Sequence, residues 1–202
     1  MIFFNLVYYI ALFSSVIPLL LNDTLLLRAK NTLFRFVTIL TIVKFLSDIL
    51  VYVLQIKIQN SLPAFHISVL LEFIVILRIL NEIYNNKYFK IYLIIGVISC
   101  FLDLFVTSNL FENNSFSSCT TFGLIIFNSW KILYSKLNID RLSLIIIYTF
   151  FFYYILAFSF VMFQKIYITD SSVFNFGFII FALATLNYNL SFSHIIWSLR
   201  KN

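Results

Sequence analysis

Seven apolar runs, each close to the roughly 20 residues that a helix needs to cross the hydrocarbon core of a bilayer, follow one another along this chain with short polar loops between them. They lie at about 2–21, 36–54, 63–80, 91–110, 116–137, 142–163 and 173–199. In lipid every backbone N–H and C=O must be satisfied within the protein, so a chain that crosses it does so as helices or as a closed barrel. The runs lack the residue-by-residue alternation of barrel strands. The expected fold class is therefore an all-α membrane protein: a seven-transmembrane-helix bundle forming a single integral membrane domain over residues 1–202. Composition agrees, because 62% of residues are hydrophobic and only 11% charged, against about 25% charged in a soluble domain. No loop exceeds about fifteen residues, which leaves no room for a soluble catalytic domain.

The net charge of +6 would point to nucleic acid in a soluble protein, but here the bases sit in short loops between apolar runs. Eleven of them (Arg28, Lys30, Arg35, Arg78, Lys87, Lys90, Lys131, Lys136, Arg141, Arg200 and Lys201) fall in or beside the odd-numbered loops and the C-terminus. Lys57 and Lys165 alone fall on the other side. An excess of Lys and Arg marks the cytoplasmic side, so the N-terminus is expected outside, the C-terminus inside, and the protein in the cell inner (cytoplasmic) membrane. Direct nucleic-acid binding is not expected. Met1 to Leu21 lacks a basic leader region and a small-residue cleavage site, and so reads as a first span with a kink at Pro18.

Polar residues inside the runs are ordered. In the second run Thr41, Lys44, Asp48, Tyr52 and Gln55 share one helical face, and Lys44 and Asp48, one turn apart, can pair. The third run carries His66, Glu72 and Arg78, the fourth Gly96, Cys100, Asp103 and Thr107 on one face, and the fifth Ser117, Thr121, Asn128 and Lys131. The sixth has no charge after Arg141 and many aromatics, and is expected to face lipid. The seventh presents Asn187, Ser191, His194 and Ser198 on one face, with Thr185, Asn189 and Ser193 beside it.

An ionisable side chain at the centre of a membrane helix costs about 2.5–3.5 kcal/mol on insertion scales. Counted at 1.5 Å per residue from the outer ends, Asp48 and Asp103 lie about 10 Å deep and Glu72 about 14 Å. The candidate polar pocket is therefore Lys44, Asp48, His66, Glu72, Asp103, Asn128 and Asn187, a site for a small ligand, a cation or a proton. Interhelical hydrogen bonds that merely fix the bundle are the alternative.

No cofactor motif is present: the sequence contains no Gly-rich phosphate loop and no nucleophile elbow. The seventh run has no Lys for a retinal Schiff base, and neither His is preceded by the Arg of a HEPN ribonuclease. Ser47-Asp48 with His66 resembles the first part of the zinc site of alkaline-ceramidase-type hydrolases, but the seventh run holds one His where those enzymes have a pair. Cys100 and Cys119 differ in depth and are expected to be packing residues rather than a disulfide.

The stretch Phe65 to Phe73, FHISVLLEF, resembles the motif of a family of small seven-span membrane proteins of Bacteroidota, in which Phe-His is followed by Glu-Phe six residues after the His. The resemblance extends to Asp48, Asp103, Asn114-Ser115 and the Asn-bearing seventh run. Departures are a missing Arg after Asn114-Ser115 and Phe174 in place of a common Trp. The family supplies no activity. Multi-span accessory membrane proteins of type VI-B CRISPR loci are similar in size and character only. The expected function is a non-enzymatic sensor or accessory component, whose partners are the lipid bilayer and a cytoplasmic or membrane protein. A membrane pore, transporter or CRISPR/defence-associated membrane effector is the first alternative, and an intramembrane lipid hydrolase the second.

Overall fold

The computed structural model describes residues 2–21, 32–57, 59, 62–107, 115–135, 139–162 and 171–201, and all the regular structure among them is helical. The elements are α1 (Ile2–Phe13), α2 (Val16–Leu21), α3 (Thr32–Lys57), α4 (Leu62–Ile83), α5 (Phe89–Leu102), a π-helical turn (Asp103–Thr107), α6 (Ser115–Tyr134), α7 (Arg141–Met162) and α8 (Ser171–Lys201).

Local chemistry sets the boundaries. Pro18 lacks an N–H and its ring would collide with the carbonyl four residues back, at Ser14. The first expected span accordingly breaks into α1 and α2 at Ser14 and Ser15. Ser14 Oγ and Ser15 Oγ donate to the carbonyls of Ala11 and Leu12 at 2.6 and 3.0 Å, and Ile17 N reaches Ser14 O at 3.1 Å. Between α3 and α4, Gln59 takes a left-handed conformation with φ 57°, and Pro63 occupies the first turn of α4, where its missing donor costs nothing. Asp140 caps α7: its Oδ1 accepts from the N–H groups of Leu142 and Ser143, both at 3.0 Å. Burial is the largest single influence on the Asp140 carboxyl and pushes it up, but the hydrogen bonds from Ser143 and Leu142 together hold it below the ordinary carboxylate value.

Five helical segments are long and apolar enough to cross a membrane: Thr32–Lys57, Leu62–Ile83, Phe89–Val106, Arg141–Met162 and Phe176–Ser198. The first expected span falls short because Pro18 divides it. The fifth, α6, has 20 residues but spends too many of them on Ser, Thr, Asn and Lys. Its polar side chains face inward, with Ser117, Ser118, Thr121, Asn128 and Ser129 all buried, while Phe116, Phe127, Trp130 and Tyr134 point out.

Successive helices pack antiparallel. The start of α3 lies beside the end of α4, where Thr32 Oγ1 donates to Glu82 Oε2 at 2.8 Å. Contacts run α3 to α4, α4 to α6, α6 to α7, α7 to α8, and α8 to α1 and α2, which return to α3. These elements form a ring. Helix α5 stands outside it, seated on α4 and α6, with Gly96 against the ring of Phe73. Helix α7 does not simply face lipid as its aromatic composition suggests: Ile146, Ile147, Phe150 and Tyr154 are among the most buried residues, and its outer face includes Tyr148, Phe152, Leu156 and Met162. Aromatic side chains satisfy a core as well as a lipid tail does, so composition could not choose.

The main apolar core fills one half of the ring. It is built from the first half of α3, the second halves of α4, α6 and α8, and α7, and includes Leu40, Ile76, Ile79, Ile132, Ile146 and Ile195. Phe150, Tyr153, Tyr188 and Phe192 pack at tilted angles across its inner edge, with ring centroids 4.4 Å apart for Tyr153 and Tyr188 and 4.8 Å for Tyr188 and Phe192.

Candidate functional site

Above that aromatic layer the ring encloses a cavity of about 260 Å³, lined by α1, α3, α4, α6, α7 and α8. Helix α5 contributes nothing to it. Its walls are apolar, with Leu12, Val51, Phe65, Phe122, Ala157, Phe160, Phe178 and Phe181, and they reach the level of Leu62 at the start of α4 and Val161 near the end of α7. Its floor is polar: Lys44, Asp48, Ser68, Glu72, Tyr153, Tyr154 and Thr185.

The floor is an ion cluster. One helical turn separates Lys44 from Asp48, and Nζ lies 3.1 Å from Oδ1. The neighbouring α4 brings in Glu72, whose Oε1 lies 3.7 Å from the same Nζ. Tyr154 on α7 donates its hydroxyl to Glu72 Oε2 at 3.3 Å. Asp48 Oδ2 is buried and has no hydrogen-bond partner among the described residues. Two carboxylates therefore share one ammonium. The group balances its charge only when one acid is neutral or when a further cation joins it. Buried charges of this kind are tolerated only when paired and hydrogen-bonded.

The remaining residues expected in the pocket lie elsewhere. Asp103 is buried at the head of the π-helical turn that follows α5 and serves α6: its Oδ2 accepts from Ser117 N at 3.0 Å and Ser117 Oγ at 2.6 Å. It does not line the cavity, because this turn, like α5, lies outside the ring. His66 is buried on α4 without lining the cavity. Asn128 acts toward the opposite end: its Oδ1 accepts from Asn86 Nδ2 at 2.9 Å, while its own Nδ2 donates to Leu124 O at 2.8 Å. Asn187 is exposed, and the buried polar face of α8 is instead Thr185, Asn189 and Ser193.

Two contributors, Asn86 and Tyr154, went unrecognised in the sequence, and a third, Asn189, stood there only beside the face expected to be the polar one. Asn189 Nδ2 donates to Ser14 Oγ at 2.7 Å, pinning α8 to the break between α1 and α2. Asn86, in a loop that looks merely polar, is buried and closes the α4–α5 turn through bonds to Asn81 and Tyr88. Tyr154 was hidden in an uncharged aromatic run, and no local signal distinguishes it from its neighbours. Among the described residues no three or more His, Cys, Asp or Glu side chains come together to hold a metal ion.

The end of the ring opposite the cavity is basic and aromatic. The Arg78 guanidinium lies 4.8 Å from the centroid of Phe89, Lys87 Nζ 4.9 Å from Tyr88, and Lys131 Nζ 5.9 and 5.5 Å from Tyr84 and Tyr88. No family model, no curated protein and no solved structure matches the chain.

Proposed function

We propose that the chain is a seven-span protein of the inner (cytoplasmic) membrane, N-terminus outside and C-terminus inside, that takes a small ligand into an intramembrane pocket and signals or assists through a cytoplasmic or membrane partner. The observation that carries this is the cavity of about 260 Å³ with charged Lys44, Asp48 and Glu72 at its floor and apolar walls above them. A pocket closed on one side fits a sensor better than a pore, since the core on the basic side is filled by Tyr188, Phe192, Ile195 and their neighbours. The basic residues of the odd loops support the orientation, and their partnership with exposed rings such as Tyr88 supplies a face for the partner.

Two experiments test the proposal. Reporter fusions after Asn60, Lys87, Asn114, Asn138 and Asp170 should alternate out, in, out, in, out; two adjacent sites on one side would refute seven spans. Asp48→Asn and Glu72→Gln each leave Lys44 with one carboxylate, so both should insert and accumulate normally while removing whatever phenotype deletion of the gene produces. A phenotype retained by both variants would refute a ligand pocket.

A further inference from the structure

The pocket has a chemical asymmetry that selects among ligands. We infer that its ligand is an amphipathic organic monocation, a protonated amine on a compact apolar body; this rests on the pocket proposed above and specifies what enters it. Three features converge on that class. The floor holds two carboxylates against one ammonium, with Lys44 Nζ 3.1 Å from Asp48 and 3.7 Å from Glu72. A singly charged cation completes the charge balance in a place where water is scarce. Asp48 is 8% exposed and lines the cavity, and its buried Oδ2 has no hydrogen-bond partner among the described residues, so its charge is met by Lys44 through Oδ1. Above the floor the walls are Phe65, Phe122, Phe160, Phe178 and Phe181, aromatic faces suited to an apolar body and to a nearby positive charge.

A bare proton or alkali ion would satisfy the floor but leave the apolar chamber without use. A neutral apolar molecule would fill the chamber but leave the second carboxylate of the floor without a balancing charge. A fatty carboxylate would bring a third negative charge to two. The volume of about 260 Å³ suits roughly nine non-hydrogen atoms, at about 30 Å³ for each water-sized group. Glu72 lies ten residues, or about 15 Å, along α4 from Leu62 at the outer level of the cavity, so the head sits deep and the body lies above it.

The test uses the full-length protein in nanodiscs of phosphatidylcholine, with tritiated 2-phenylethylamine as probe and empty nanodiscs as blank. Competition by 2-phenylethanol and by phenylacetate compares one body with a positive, a neutral and a negative head. The amine should bind about tenfold more tightly than the alcohol, since charge-assisted hydrogen bonds are about twice as strong as neutral ones, and phenylacetate should not compete. Asp48→Asn, or Glu72→Gln should the first variant fail to fold, should bring amine and alcohol to within about twofold of each other. Ala157→Phe, which fills the chamber, should abolish binding. Equal competition by all three compounds, or a preference for phenylacetate, overturns the inference and leaves the pocket standing. No binding of any of the three, or binding that survives Ala157→Phe, overturns both.

Discussion

Replacing Lys44 by Met isolates the energetics of the floor. The substitution keeps the volume of the side chain and deletes the ammonium that lies 3.1 Å from Asp48 Oδ1 and 3.7 Å from Glu72 Oε1. Both acids lie in side chains about a tenth exposed, at 11% and 10%, so neither can turn to water without unpacking the bundle. Breaking a buried pair by removing one partner costs about 3–5 kcal/mol because it strands the other charge. Here it strands two, and the upper end of that range is expected. Replacing a whole buried cluster by neutral groups of similar size is often neutral or stabilising. The triple variant Lys44→Met, Asp48→Asn, Glu72→Gln should therefore recover to within about 1 kcal/mol of the parent, and Asp48→Asn alone should stay equally close because one acid and one base remain. Reversible unfolding in mixed micelles, followed by helicity, measures all four. A Lys44→Met protein within about 0.5 kcal/mol of the parent, or a triple variant no better than Lys44→Met, would refute a coupled ionic floor.

A Cβ placed on Gly96 would overlap the ring of Phe73, so Gly96→Ala should cost about 1–3 kcal/mol by overpacking, and Phe73→Leu should restore most of it in the same unfolding assay. Asp103→Ala removes the acceptor of two Ser117 donors and should cost about 1–3 kcal/mol for leaving them unsatisfied; amine binding should persist, and its loss would bring Asp103 back to the pocket. Asp140→Ala removes an N-cap and should cost about 1 kcal/mol, read as a lowered midpoint. Because the folded carboxyl of Asp140 lies below its ordinary value of 3.8, its contribution is present above that pH and is lost as pH falls through the folded value. The difference between parent and Asp140→Ala should therefore narrow on acidification, and a gap that widens would contradict the cap.

The extents of the third and sixth helices were legible because they depend on local chemistry. The third expected span, 63–80, becomes Leu62–Ile83, and the sixth, 142–163, becomes Arg141–Met162. Pro63 and Asp140 mark those starts by rules that need no tertiary partner. The spacing of Lys44 and Asp48 was enough to set their pairing, since both lie on one helix. What the chain withheld is lateral position. Depth can be counted along a helix, but whether the helix belongs to the ring depends on packing. Asp103, counted to the same depth as Asp48 along its own helix, therefore shares none of its surroundings. The same limit separates Asn187 from Asn189: two residues turn a helix by about 200°, and each lies on a credible polar stripe. Only the position of Ser14 across the interface decides for Asn189.

Asp48 and Asp103, the buried aspartates among the described residues, also serve as each other's control. A membrane acid kept only for packing should have its lone pairs met by donors from neighbouring helices, since an unmet buried acceptor costs about 1–3 kcal/mol. Asp103 Oδ2 fits that description, held by the N–H and the hydroxyl of Ser117 at the first turn of α6. Asp48 does not. Its Oδ1 is paired with Lys44 while Oδ2 lacks a partner among the described residues, and the side chain borders the cavity. Ser47 beside it is buried as well, so the backbone there is not short of packing. Were the cluster purely structural, a neutral Asn at position 48 would serve Lys44 and Glu72 better than a second acid, since it would remove the charge excess and keep the volume. An acid beyond what Lys44 can balance, in a side chain that borders the cavity, is what the proposed site for a cation requires, and Asp103 Oδ2 shows how this chain meets a buried carboxylate oxygen with donors from a neighbouring helix.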